Sequence, residues 1–576
     1  MLRKLSMIVT VSLICLALVP GLVQAQDPGA DGIGDEFFPE LGNGGYDAQH
    51  YTIDLTADVE DNLVKAVVVI DALATQDLSA FNLDFAGPTV TEVLVNDAPA
   101  AYERENRELI ITPAEPLADG SAFTVSIAYS GQPSGVRATG IPFLVGWTNY
   151  GDGVFVASEP AGAAGWYPVN DHPLDKATYT FRITAPDPYV VAANGVLQET
   201  IPDAANNWTT YVWEMAQPVA SYLVTVNIAE YVFDGEVGPD GLAIRNYFPP
   251  GLADAGAVEF AKTADMIAYF NDVFGPYPFD AYGVVVVDAD LQFALETQTL
   301  SLFARNWVSG TGRAEEAVAH ELAHQWFGNS VSLAGWQDIW LNEGFATYAS
   351  WLWFEHDQGP DVLQRIVTQA HNNITQDRLT YVIQLSKQDV LNALTMLLPD
   401  DVSLDIDALT NVARLIVQDA LSDEDIEAFT GGLPSMDITR DDLLALVTAL
   451  PFDTIQLSGE EIAELESILQ LGAPEPGAFR LPRSRYVPPG NPPSYDLFNA
   501  GVYQRGALTL HALRVHVGDE AFFDIVRTYY DRYAYGNAAT ADFIAVAEEV
   551  SGDDLGDFFD AWLYDPVMPP LPDGTD

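Results

Sequence analysis

His320, Glu321 and His324 stand in the run AVAHELAHQWFG, two imidazoles four residues apart with a carboxylate beside the first. A spacing of four on a helix brings both imidazoles to one face, so each can offer a nitrogen to one metal ion. Glu321 then points beside the metal, where it can accept a proton from a water that the metal has made acidic. These ligand types at this spacing are those of a zinc site, and a catalytic zinc with one open position wants one more protein ligand. Glu343 in WLNEGFATYAS, with eighteen residues between it and His324, offers that ligand at the start of a further helix. Activated water attacks carbonyls, phosphates and other electrophiles, so these residues alone leave the substrate open. The other six histidines (His50, His172, His356, His371, His511 and His516) stand in no such arrangement and read as structural.

Two successive helices must hold this set: RAEEAVAHELAHQWFG and EGFATYASWLWFEH both carry helical spacing. Before them, LADAGAVEFAKTADMIAYFNDVFG reads as helical, PYPFDAYGVVVVDAD as a turn and buried strand, and FALETQTLSLF as an edge strand. From Tyr46 to about Asp234 the pattern is short alternating runs, among them HYTIDLTADV, KAVVVIDALA, ELIITPA, AFTVSIAYSG, ATYTFRITAP and SYLVTVNIAEYVF. That predicts an N-terminal all-β domain at 45–235, after a Gly-, Asp- and Pro-rich flexible lead-in at 26–44. An α+β catalytic domain follows at 236–372 and resumes as helices at 486–568, with a tail at 569–576. Between its parts, residues 373–485 are Leu- and Asp-rich, with helical pieces such as DDLLALVTAL and GEEIAELESILQ, and read as a helical insertion elaborating the surface.

The 576 residues are 48% hydrophobic, enough for two or three folded domains. Residues 1–25 read as a secretory signal: Arg3 and Lys4, the apolar run MIVTVSLICLALV, then Val23-Gln24-Ala25 as a small-residue cleavage pattern. Cleavage would remove Cys15, the only cysteine, and would leave an exported chain without thiol chemistry. Asp and Glu number 83 against 24 Lys and Arg, a net charge of −59. Such a chain is repelled by nucleic acid and by anionic membranes, so neither is expected as a partner beyond the export signal.

HELAHQWFGNSV followed by WLNEGFATY resembles the gluzincin metallopeptidases of the aminopeptidase N and leukotriene hydrolase family. EPAGAAGWYPVNDHPLDKATYTF resembles the end of that family's β-rich N-terminal domain, LETQTL stands where its Gly-Ala-Met-Glu-Asn strand belongs, and VYQRGAL resembles its Tyr-x-Lys/Arg-Gly helix. The resemblance covers about residues 45–370 and 486–568. It implies a multidomain α+β fold, an N-terminal all-β domain followed by a thermolysin-like α+β zinc catalytic domain, here with the helical insertion. It also implies one Zn2+ per chain on His320, His324 and Glu343, with Glu321 as base. Glu296 and Glu159 match the carboxylates that bind the substrate's free α-amino group, and Tyr503 matches the tyrosine that donates to the oxyanion. Two carboxylates near a metal would in any case attract an ammonium and bring only the first peptide bond to it.

The expectation is therefore a secreted zinc aminopeptidase acting on peptides with a free N-terminus. The alternatives are an endopeptidase or epoxide hydrolase on the same site, or a non-catalytic peptide-binding protein. Two departures bear on specificity. Phe293 replaces the family's first glycine in that strand, which would narrow or rotate the cleft wall. Larger members continue beyond the equivalent of AWLYDPVMPPLP, so a more open cleft is expected unless the insertion covers it.

Overall fold

The structure, a computed structural model, describes residues 28–376, 382–386, 454–458, 487–565 and 567–572. The leader at 1–25 and the helical pieces expected within 373–485 lie outside the described residues. What is described between Gln376 and residue 487 is an antiparallel pair, Val382–Ser386 with Thr454–Ser458.

Alternation builds the N-terminal half. Along Tyr46–Asp58 and Leu63–Ala74 nearly every second side chain is buried, the period of a strand with one face on a core. These two strands lie at the centre of an eight-stranded sheet ordered Val196–Asp203, Trp208–Val219, Ala177–Pro186, Tyr46–Asp58, Leu63–Ala74, Ala122–Gly131, Thr89–Val95, Ala98–Pro99. Tyr46–Asp58 runs parallel to Ala177–Pro186; the other neighbours are antiparallel. A five-stranded sheet places Gly153–Ala157 between Val226–Ala229 and Leu144–Asn149, and both Gly153–Ala157 and Val226–Ala229 are buried throughout. Strands buried on both faces read as continuous apolar runs, as VFVA does.

SYLVTVNIAEYVF does not form one strand. It divides into a 3₁₀ turn at Ser221–Leu223, the strand Val226–Ala229, and Val232–Val237, which leaves to begin the next sheet. The expected boundary at residue 235 therefore falls inside a strand of the second half.

That sheet is ordered Val232–Val237, Ala243–Phe248, Val284–Val287, Ser301–Ala304, with Ala281–Tyr282 also beside Ala243–Phe248. Around it stand helices α1 (Ala253–Glu259), α2 (Thr263–Phe274), α3 (Glu315–Ala323), α4 (Trp340–Gln358), α5 (Pro360–Gln376), α6 (Gly506–Val517), α7 (Asp519–Tyr533) and α8 (Thr540–Ser551). FALETQTLSLF was expected as an edge strand over its whole length; only Ser301–Ala304 is one. Leu295 bridges back to Leu302 around a turn at Thr297–Leu300, so Glu296 sits in a folded-back segment. The turn places Thr299 at a φ of 67°, a left-handed conformation incompatible with a continuing strand.

The lead-in is not flexible where it is described. Asp35 accepts hydrogen bonds from the Phe37 and Phe38 amides, pairs with His172 Nε2 at 3.1 Å, and accepts from the Trp336 amide at 2.9 Å. Phe38, Leu41 and Asn43 are buried. The Asp and Phe anchors outweigh the Gly and Pro content that suggested a loose chain, and the segment straps the β half to the approach to α4. Lys176 makes a second tie, its ammonium donating to the carbonyls of Asn329 and Ser330 at 2.9 and 3.0 Å.

Candidate metal centre and its cavity

Helix α3 ends at Ala323, but the His324 amide still donates to the His320 carbonyl at 3.2 Å, which keeps the two imidazoles on one face. His324 Nδ1 meets the Phe327 carbonyl at 3.1 Å; a carbonyl only accepts, so this nitrogen carries the proton and Nε2 presents a lone pair. His320 Nδ1 lies 3.4 Å from Thr347 Oγ1, which turns its Nε2 the same way. Glu343 enters from the first turn of α4, where its amide donates to the Ile339 carbonyl.

The three free donor atoms converge. His320 Nε2 is 3.0 Å from His324 Nε2 and 3.1 Å from Glu343 Oε2, and His324 Nε2 is 3.4 Å from the same oxygen. Donors held about 2.0–2.1 Å from a tetrahedral zinc lie about 3.3 Å apart. Two lone pairs and a carboxylate facing one point repel unless a cation sits between them, so the set fits zinc. Burial alone would raise the Glu343 carboxyl, yet the two imidazoles hold it down at about 2. At His324 burial disfavours positive charge while Glu296, Glu343 and Glu321 favour it, and the same acidic surround favours a cation at its Nε2.

All the other expected residues share one cavity of about 800 Å³ with these ligands. Glu321 lines it beside the donors, with its carboxyl pushed up by burial and by Glu296 and Glu343. Glu296 reaches it from the folded-back segment. Glu159 arrives from the β half, two residues after the end of the strand Gly153–Ala157, so the cavity lies between the halves. Glu159 Oε1 and Glu296 Oε1 are buried with no hydrogen-bond partner among the described residues. Burial, then the neighbouring carboxylates, drives the Glu159 carboxyl well up. Buried carboxylates without partners among the described residues make a site for incoming positive charge.

Tyr503 stands on a π-helical turn, Gly501–Arg505, that leads into α6. Its ring stacks on His320 with centroids 5.8 Å apart and planes 19° from parallel. Such turns re-aim side chains and recur at functional sites. Arg505 fixes this one, donating to the carbonyls of Ala561, Trp562 and Asp565.

A smaller cavity of about 390 Å³ shares Glu159, Phe293, Phe498 and Tyr503 with the first and continues past Ile141 and Phe143 to Asp496. Phe293 neither blocks nor leaves the cleft: it stacks on Phe143 at 5.1 Å and 11°, forming a wall common to both cavities.

The sequence reading did not single out the residues that hold this set in place. Gln325 and Asn329 both donate to the Glu296 carbonyl, at 3.1 and 2.7 Å, which clamps the folded-back segment to the end of α3. Glu259 accepts from the amides of Ser309, Thr311 and Ala314, so it caps α3 from another helix. Gln325 and Asn329 lie within HELAHQWFGN, one and five residues past His324, and that position was their only signal; nothing in the sequence pointed to Glu259. The six remaining histidines are all engaged elsewhere: His50 with Thr178, His172 with Asp35, His356 against Tyr269, His371 on the Pro569 carbonyl, His511 with Tyr348, and His516 against Phe558.

Residues 258–395 and 491–562 match the Peptidase family M1 domain, and residues 47–223 match the Peptidase M1 N-terminal domain. Aminopeptidase A of Gloydius brevicauda is 27% identical over 326 residues, 52% of this chain and 33% of that protein. The chain thus spans about a third of the length of that curated relative. The crystal structure of the M1 zinc metallopeptidase from Deinococcus radiodurans is 26% identical with a TM-score of 0.69, covering 94% of this chain and 99% of that one. A mutant of that enzyme, solved bound to a Tyr-Ser-Ala substrate, superposes with a TM-score of 0.68 at 26% identity, covering 94% of this chain and 99% of that one. Two matching domains in family order and a full-length structural counterpart place this chain in peptidase family M1, the M1 zinc metallopeptidases.

Proposed function

We propose that the chain is an exported zinc aminopeptidase that removes the N-terminal residue of peptides. The observation that carries this is the pair of unpartnered carboxylate oxygens, Glu159 Oε1 and Glu296 Oε1, in the cavity that holds His320, His324 and Glu343. A free α-ammonium supplies the charge they lack, and anchoring it there leaves only the first peptide bond at the metal position. The relatives named as aminopeptidases and the tripeptide bound to the Deinococcus enzyme support the same substrate class.

When bound, zinc supplies Lewis acidity to a water and to the scissile carbonyl. His320, His324 and Glu343 would hold it, and the second nitrogens of the two imidazoles, met by the Phe327 carbonyl and Thr347 Oγ1, set the ring orientations. Glu321 takes the proton of the attacking water and returns it to the leaving amine. The Tyr503 hydroxyl donates to the oxygen that becomes negative as the carbonyl turns tetrahedral. The smaller cavity beside Glu159 takes the first side chain, which its Phe143, Phe293 and Phe498 walls suit to large apolar groups. Export rests on the leader at residues 1–25.

Aminoacyl anilides with free and N-acetylated amines test this reading, with and without a chelator. Hydrolysis of the free amine alone, abolished by the chelator, is expected. Equal hydrolysis of the acetylated substrate contradicts it and favours an endopeptidase.

A further inference from the structure

Glu296 Oε1 meets no hydrogen-bond partner among the described residues, so the backbone that carries Glu296 sets where that oxygen stands. From one side α3 grips this backbone on both arms of its turn: Gln325 donates to the Glu296 carbonyl at 3.1 Å and accepts from the Thr299 amide at 2.9 Å. From the other side it meets three consecutive residues of the β half, at the end of the strand Val190–Ala193. Asn194 donates to the Gln298 carbonyl at 2.7 Å, and the Gly195 amide donates to Thr299 Oγ1 at 2.8 Å. The Ala193 carbonyl accepts from Arg245 at 3.1 Å, and the same guanidinium donates to Thr299 Oγ1 at 3.1 Å. Asn194 is fully buried and fully engaged: its second amide hydrogen goes to the Leu223 carbonyl at 2.9 Å, and its oxygen accepts from the Thr225 amide at 2.7 Å. The Leu223 carbonyl also accepts from the Gln298 amide at 3.2 Å, which closes the link between the two halves.

We infer that Asn194 is a positioning residue for recognition of the substrate's α-ammonium: from the β half it fixes the turn at Thr297–Leu300, and through that turn the carboxylate of Glu296. The inference rests on the aminopeptidase reading. Asn194 is not among the residues that line the cavity, so it acts on a bound amine only through the turn. A hydrogen bond from an ammonium to a carboxylate is short and directional, and a carboxylate displaced by a fraction of an ångström loses much of it. Two partners with fixed donor and acceptor roles, Gln325 on one side and Asn194 on the other, leave the turn no direction in which to give. The metal ligands do not depend on this contact, because His320, His324 and Glu343 stand on α3 and α4 or directly past them.

The test compares, by calorimetry on the zinc-loaded enzyme, the dissociation constants of leucine hydroxamate and of 4-methylpentanohydroxamate, which lacks only the amine. The wild type should bind the amine-bearing compound about tenfold or more tightly. Asn194→Asp keeps the acceptor for the Thr225 amide and removes both donors; it should shrink this ratio by about tenfold, by weakening leucine hydroxamate alone. Asn194→Ala should do the same. Asn227→Ala, which removes a neighbouring buried amide that bonds to Thr225 Oγ1 at 3.0 Å, should leave the ratio unchanged. A purely structural role lowers the folded fraction and leaves both constants as they were. A ratio that survives Asn194→Asp or Asn194→Ala therefore overturns the inference, as does equal weakening of both compounds, and neither outcome touches the aminopeptidase reading. A wild-type enzyme indifferent to the amine overturns both.

Discussion

Gly344 and Gly506 meet backbone to backbone where α4 crosses α6: a methyl group on either would lie 2.9 Å from the other's Cα. The contact couples two parts of the candidate site directly, because Gly344 follows Glu343 and Gly506 closes the turn that carries Tyr503. The glycine in WLNEGF and the one in VYQRGAL are therefore two sides of one requirement, the closest approach of two helices.

Gly344→Ala or Gly506→Ala should push these helices apart. Overpacking of this kind costs about 1–3 kcal/mol, measurable as a lowered urea midpoint. It should also lower kcat, since Tyr503 moves away from His320. A variant with unaltered midpoint and turnover would show that the contact is not limiting.

Tyr503→Phe removes only the hydroxyl and leaves the ring on His320. Loss of one oxyanion donor should reduce kcat by about a hundredfold or more, with little change in KM or in zinc content by elemental analysis. A loss confined to KM would assign the phenol to substrate binding instead.

His511 gives the fold a pH dependence separate from the metal site. Its Nδ1 lies 3.2 Å from Tyr348 Oη, its Nε2 is buried without a partner among the described residues, and burial together with the Arg514 charge holds the imidazole down at about 4. An unfolded histidine titrates near 6.5. Between these values the unfolded chain binds a proton that the native chain does not, so stability is full above about pH 6.5 and falls as the pH drops toward 4, by up to about 1.4 kcal/mol per pH unit. His511→Gln should flatten the urea-stability profile in that window relative to wild type. An unchanged slope would show that His511 does not contribute.

The sequence made the chemistry legible where it depends on spacing along one element. The HELAH run led to His320, Glu321 and His324 because helical periodicity sets their mutual placement, and the need for one more ligand led to Glu343 in the NEG of the following helix. Glu159, Glu296 and Tyr503 come from three other segments, and their meeting in one cavity followed only from the family resemblance. What stayed illegible depends on tertiary contact. Asp35 turns a Gly- and Pro-rich lead-in into a packed strap through partners 137 and 301 residues away. Glu259 caps α3 across 55 residues, and Leu295 folds back onto Leu302 where alternation alone predicted a straight strand.

The most direct test of the central claim is Glu321→Gln, read in one preparation by zinc content and by hydrolysis of a free aminoacyl anilide. The substitution keeps the shape and removes the base without touching a ligand. One zinc per chain with turnover reduced by about a hundredfold to ten-thousandfold is the predicted result. Bound zinc with wild-type turnover would contradict the claim that Glu321 activates the attacking water.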